Sequence, residues 1–344
     1  MRARPVELVT WLAIGRVLVA GFGVWILVES WQLWVLLFLA LVVAAAILPA
    51  ARWGDRHRIP RSVTVAGVYL AAALLVSALG RFLVPAFVEE GRQFVAQLPA
   101  LVDKGRVLLA ELVAWGARWD IPLPGLSEDG ESLKRIGEVL LQNTLLVTKG
   151  AIGAVVALFL VVVVAAYLVI DAERIGRGLG GFLPARHRGR AVEVTARVLA
   201  VMGGYVRGQA IVSLSVGTVI AVGLAVLGVP YALLIGGAAA VLNVVPFLGS
   251  PAAAVLGILA ALNISPGLAV WAALVFWGAN LLEAKLFVPQ LVGRATGLHP
   301  LAVMVGILVG AKLAGVIGAL IAVPLMAGAW EILRAVYIEP REQA

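Results

Sequence analysis

The chain has no cysteine, three histidines and few charges, and each shortage closes off a class of function. Without cysteine there is no disulfide framework, no thiolate metal site and no thiol nucleophile. His57, His187 and His299 are scattered and form no HExxH or comparable ligand spacing, so no metal site is expected. There is no GxxxxGK[ST] phosphate loop and no GxSxG nucleophile elbow, so neither that route to ATP hydrolysis nor an esterase-type enzyme is expected. No cofactor is implied by any motif. Only 13% of the 344 residues are charged, against about 25% in soluble domains.

What the chain has instead is apolar length. Hydrophobic residues make up 62% of it, and the mean hydropathy is +1.04. A soluble core cannot absorb that excess, because a folded chain still needs polar surface. Several runs are long enough to cross a hydrocarbon layer of about 30 Å, which takes roughly 20 helical residues. They are apolar all round rather than alternating, which argues against barrel strands. The expected fold class is an all-α polytopic membrane protein with about eight membrane segments.

Spans are expected at 8–28, 33–51, 63–84, 150–170, 205–228 and 268–286. Arg2 and Arg4 precede the first run with no small-residue cleavage site after it, which reads as a retained span rather than a signal peptide. Between 85 and 149 acids and bases are mixed. Phe87, Phe94, Leu98, Leu101, Val102, Leu108, Leu109 and Leu112 recur there at helical spacing, and a second amphipathic stretch follows from Ser132. That pattern reads as a small helical subdomain rather than a floppy loop. Four regions follow: 1–84, three N-terminal spans; 85–149, the amphipathic subdomain; 150–204, the fourth span with a basic helical segment; and 205–344, a transport core in two related halves, 205–262 and 268–338.

The net charge of +8 comes from short basic clusters beside apolar runs, including Arg52, Arg56, Arg58, Arg61, Arg174, Arg177, Arg186, Arg188 and Arg190. Placed there, arginines set topology and meet lipid headgroups, so the bilayer rather than nucleic acid is the expected partner. The positive-inside bias puts both clusters and both termini in the cytoplasm, with 85–149 outside.

The C-terminal half contains a weak repeat. Gly228-Val-Pro-Tyr-Ala-Leu-Leu-Ile-Gly236 resembles Leu298-His-Pro-Leu-Ala-Val-Met-Val-Gly306, with Pro230 matching Pro300 and Gly236 matching Gly306. Each copy leads into an apolar stretch broken near its middle, by Asn243, Pro246, Gly249 and Pro251 in the first and by Gly310, Gly315 and Gly318 in the second. Two broken or re-entrant hairpins of opposite sense would make an inverted repeat, whose interface is where secondary transporters place substrate. The alternative is a single kinked span with glycines that merely pack helices closely.

Ionisable and amide groups inside spans are costly, by about 2.5–3.5 kcal/mol for a charge on insertion scales, and are functional candidates by default. Asn280 and Glu283 lie three residues apart on one expected helix face, with Lys285 and Pro289 close behind. Glu283 suits a proton or cation; a salt bridge to Lys285 or Lys312 is the competing reading. Lys312 falls near the tip of the last hairpin, where it would attract an anionic or polar solute. Asn243 serves either the pathway or as a cap before the turn at Pro246. Gln209, at the start of the fifth span, is the expected cavity residue beside a snorkelling Arg207.

Taken in order along the chain, a set of short segments resembles the autoinducer-2 exporter family. They are Arg58-Ile-Pro-Arg61, Gln97-Leu-Pro99, Tyr167-Leu-Val-Ile-Asp171 with Phe182-Leu-Pro184, and Tyr205-Val-Arg-Gly-Gln209. Further along come Asn243-Val-Val-Pro-Phe-Leu-Gly249, Asn280-Leu-Leu-Glu283 with Val288-Pro289, Leu298-His-Pro300, and Gly315-Val-Ile-Gly318 with Val323-Pro324. The resemblance implies an inner-membrane permease that works as a homo-oligomer, a pentamer being one candidate. It also implies a small-molecule or ion substrate: autoinducer-2 for some members, sodium/proton or lithium/proton antiport for others. By position it carries over Gln209, Asn243, Pro246, Gly249, Asn280, Glu283, Pro289 and Pro300. Two departures stand out, Val-Pro-Phe where members often have Ile-Pro-Tyr, and Lys285 so near Glu283. The functions to weigh are therefore a small-solute exporter, a cation/proton antiporter, and a membrane scaffold that does not transport.

Overall fold

The computed structural model describes residues 18, 21–23, 25, 26, 28–118, 153, 156–246, 249–293 and 297–339. Most of the expected first span, the stretch from 119 through Ser132 to 152, Phe247, Leu248 and Arg294 lie outside them. Every regular element among the described residues is a helix. These are α1 (Trp31–Arg56), α2 (Arg61–Arg118), α3 (Val156–Ile170), α4 (Ala172–Gly181), α5 (Ala185–Val226), α6 (Ala232–Leu242), α7 (Gly249–Leu262), α8 (Pro266–Leu282) and α9 (Pro300–Leu333). α8 runs on as a π-helix, Glu283–Gly293, and α9 ends in another, Arg334–Ile338.

Among the described residues five helices are long and apolar enough to cross a membrane, or six if α3 and α4, bent by 73° at Asp171, count as one span. The multi-pass helical membrane fold expected from hydropathy is what the chain adopts. α6 and α7 do not reach that length: 11 and 14 residues against the roughly 20 a crossing needs.

Two clusters of buried apolar side chains hold these helices. Ala40, Ala44, Val65, Val161, Ala165 and Val169 join α1, α2 and α3. Tyr69 reinforces that group by donating to the Val162 carbonyl across 2.9 Å, and Arg61 bridges Asp55 and Glu173 at 2.9 and 2.8 Å. The larger cluster joins α5 to α6, α7, α8 and α9 through Val212, Val216, Ile220, Ile235, Ala253, Phe276 and Ala319, among others. The clusters meet where α1 crosses α5: a Cβ on Gly203 would lie 2.2 Å from the Ala45 carbonyl oxygen. Arg207 donates there to the Ala46 carbonyl, so it is held by α1 and does not snorkel freely.

α2 is 58 residues long, about 87 Å at 1.5 Å per residue, and is helical through Pro85 and Pro99. No helix boundary therefore falls at 84/85, where the sequence pattern changes from apolar to amphipathic. The side chains of Leu98, Leu101, Val102, Leu108, Leu109 and Leu112 are outside the described set.

Both expected breaks are turns between antiparallel arms. In hairpin 1, α6 and α7 face each other: a Cβ on Gly249 would lie 2.5 Å from the Asn243 Cα, and one on Gly257 would meet Ile235. In hairpin 2, α9 folds back at Ala314 (φ −140°) and Gly315 (φ +60°). Its arms touch backbone to backbone where Gly310 and Gly318 face each other's carbonyls, and a Cβ on Gly306 would collide with Met326.

The hairpins approach α5 from opposite ends. α6 packs along Gly217 and Ala221 and brings the tip of hairpin 1 back to Gln209. The second arm of hairpin 2 starts from the other end, where Arg190 donates to the Ala335 carbonyl and Arg197 pairs with Glu339 at 2.8 Å. It then passes Gly328 against Val198 and Met202, so its tip points towards the middle of α5.

Candidate functional site

The tip of hairpin 1 lands on the only chain of buried polar side chains described in the large cluster. α5 places Tyr205, Gln209 and Ser213 four residues apart, hence on one face, and all three are at most 4% exposed. Gln209 Nε2 donates to the Asn243 carbonyl across 2.6 Å. Asn243 is fully buried, and its Nδ2 donates to Glu283 Oε1 across 3.0 Å. Three elements thus join in one line, Gln209–Asn243–Glu283.

Local sequence explains each position. α6 ends at Leu242 because the turn towards Pro246 follows, and Pro246 has no N–H with which to prolong the helix. Asn243 can turn back against α7 because Gly249 leaves its backbone clear. Glu283 stands where α8 widens into π geometry, which includes Pro289 and its missing donor. Widened turns of this kind often mark functional positions.

The site is rich in unused hydrogen-bonding capacity. The Tyr205 and Ser213 hydroxyls, the Ser250 hydroxyl beside the hairpin tip, and Asn243 Oδ1 are buried with no partner among the described residues. Buried polar groups are ordinarily satisfied, which sets these four atoms apart from the rest of the described core. No described ion pair joins Glu283 to Lys285 or Lys312; both lysines are exposed. In place of a salt bridge, the half-buried Glu283 carboxyl meets the Asn243 amide. Asn243 also stands at the C-terminal cap of α6, before the turn at Pro246, while its side chain goes to Glu283.

The remaining candidates fall around this line rather than in it. Asn280 is exposed and borders a cleft of about 400 Å³ with Ser250, Pro251, Phe276 and Trp277. The Asn280 carbonyl accepts the Glu283 backbone N–H one turn further along the helix. Lys312 sits two residues before the break of hairpin 2. Pro230 precedes α6, Pro251 occupies the first turn of α7 and Pro300 opens α9. Gly315 is the bend itself, whereas Gly318 is a packing contact between the arms. Tyr205, Ser213 and Ser250 escaped the sequence reading as site residues; the four-residue spacing of Tyr205, Gln209 and Ser213 within an apolar run was the available signal.

A family model described as AI-2E family transporter matches residues 14–338. The chain belongs to the AI-2E transporter family. One relative, from Mycobacterium tuberculosis (strain CDC 1551 / Oshkosh), is 30% identical over 311 residues, covering 88% of this chain and 83% of its own. Another, from Bacillus subtilis (strain 168), is 25% identical over 343 residues, covering 95% and 96%. A third, from Synechocystis, is 27% identical over 300 residues, covering 85% and 75%. All three are named "Putative transport protein" followed by a label. Family membership and the apolar helices together make the chain a multi-pass membrane transporter.

Proposed function

We propose that this AI-2E family chain is a secondary transporter that exports a small polar solute such as autoinducer-2 across the cytoplasmic membrane, by way of Gln209, Asn243 and Glu283. The observation that carries this reading is the line from two buried amides to a half-buried carboxyl at the tip of hairpin 1, with three buried hydroxyls that lack a partner among the described residues. Such groups offer donors and acceptors to a neutral hydroxylated solute without requiring it to be charged. An irregular turn where broken helices end inside the membrane is where transporters of inverted design bind their cargo. With no phosphate loop in the sequence, the driving force is a gradient of ions or of the solute itself.

One observation favours a second reading, sodium(lithium)/proton antiport. Glu283 has no basic partner among the described residues, so its carboxyl is free to exchange a proton for a cation. Purified protein in liposomes separates the two. A pH dye inside reports proton flux when sodium, lithium or potassium is added outside, and labelled autoinducer-2 loaded in parallel vesicles reports solute efflux. Efflux of the solute with no cation-driven proton flux supports the exporter. Cation-driven proton flux with no solute movement overturns it in favour of antiport.

A further inference from the structure

Gln209 and Asn243 are at most 4% exposed, so no solute reaches them unless the hairpin tip moves. Besides α5 and α8, the part of α2 that continues beyond its apolar span also holds the hairpin. Glu90 on α2 accepts the Leu234 backbone N–H through Oε2 at 2.7 Å. Leu234 is the third residue of α6, so this is one of the N–H groups that an α-helix leaves unpaired at its start. Lys104, fourteen residues further along α2, donates through Nζ to Asn263 Oδ1 at 2.6 Å and to the Asn263 carbonyl at 3.3 Å. Asn263 follows directly on the last residue of α7.

One helix therefore sets an acid on the positive end of one arm and a base on the negative end of the other. Each sign matches the helix end it faces, and the opposite arrangement would repel both. Between these points Phe94 meets the Tyr231 ring edge-on with centroids 5.3 Å apart, and just before them Phe87 packs over Gly237. The connections at the hairpin base contain Gly228 at φ +72° and Tyr231 at φ +61°, a pair of left-handed residues where the chain re-enters. The contacts of Glu90, Phe94 and Lys104 grip the base of hairpin 1 and that of Phe87 the middle of its first arm.

We propose that the extension of α2 is a latch on hairpin 1: Glu90 and Lys104 hold its base closed, and their release lets the tip swing off Glu283 and open the site. The proposal rests on the reading of that site as the solute pathway, but its test needs no substrate. The chain lacks cysteine, so a single Ser250→Cys reports access to the hairpin tip through its rate of reaction with a small methanethiosulfonate reagent. Ala165→Cys, fully buried in the other cluster, reports general loosening.

With Glu90→Gln or Lys104→Met, the Ser250→Cys rate is expected to rise about two- to fivefold, and about tenfold or more with both, as loss of helix-end charge contacts implies. The Ala165→Cys rate stays unchanged. The charge-exchanged pair Glu90→Lys with Lys104→Glu leaves the tip at least as reactive as the neutral double variant, because each charge answers a helix end and not the other charge. An unchanged Ser250→Cys rate, a parallel rise at Ala165→Cys, or recovery in the exchanged pair would each overturn the latch. Failure of the transport reading shows separately, in the flux assay on unmodified protein.

Discussion

Glu283 and Asn243 depend on each other in a way that ordinary surface residues do not. Asn243 is fully buried and its amide nitrogen donates to the carboxyl, so Asn243→Ala removes a hydrogen bond to an ionisable group and leaves Glu283 without its partner. A loss of about 1–3 kcal/mol is expected, read as a fall in Tm of the detergent-solubilised protein. Lys285→Met and Lys312→Met, both at exposed side chains not paired with Glu283, should change stability by no more than about 0.5 kcal/mol. A large loss in either lysine variant would restore the salt-bridge reading. Glu283→Gln keeps the size of the side chain and its ability to accept from Asn243, but cannot exchange a proton. It should therefore fold normally, abolish any cation-driven proton flux in liposomes, and leave downhill solute efflux in place.

At the scale of elements, the two hairpins rest on glycine for different reasons. Gly249 is needed for clearance: a Cβ there would sit 2.4 Å from the Asn243 nitrogen, a backbone atom that cannot step aside. Gly249→Ala should push the tip away from Gln209 and Glu283, lowering Tm and flux together. Gly315 is needed for its conformation, with φ +60° and ψ −144°, and nothing lies near its missing Cβ. Gly315→Ala should cost about 1–3 kcal/mol through strain alone, with Tm falling while the tip of hairpin 1 keeps its contacts. The two breaks were legible in the sequence because proline and glycine interrupt otherwise uniform apolar runs. Gln209, Asn243 and Glu283 were legible because polar groups in such runs are rare. What the hairpins pack against was not. Gly236 and Gly306 match in the repeat, yet Gly236 packs on α5 and Gly306 on the other arm of its own hairpin. Equal residues in the repeat meet unequal surroundings, and no local pattern encodes the surroundings. The uninterrupted run of α2 through Pro85 and Pro99 was hidden likewise, since proline reads as a stop unless tertiary contacts such as those of Phe87 and Phe94 hold the helix together.

For the molecule as a whole, the arrangement of the loops makes a claim about sidedness. Arg61 at the start of α2 reaches both Asp55 and Glu173, which brings the 57–60 turn and the start of α4 to one face although more than a hundred residues separate them. Both carry arginine clusters, and short arginine-rich loops stay in the cytoplasm. α5 runs from this basic region to Val226, and the base of hairpin 1, at 227–231 and 263–265, lies at its far end. If α5 crosses the bilayer, these two groups of loops must face opposite sides. Because the chain has no cysteine, the test is direct. Single cysteines replacing His57 or Phe182 should react with a membrane-impermeant maleimide only after cells are opened. Those replacing Gly228 or Ile264 should react in intact cells. Labelling of all four from one side would mean that α5 does not span, and hairpin 1 would then be no route through the membrane. Labelling with the two groups exchanged would keep the architecture but turn it over, placing the latch of α2 in the cytoplasm, where it would govern entry of solute rather than its release.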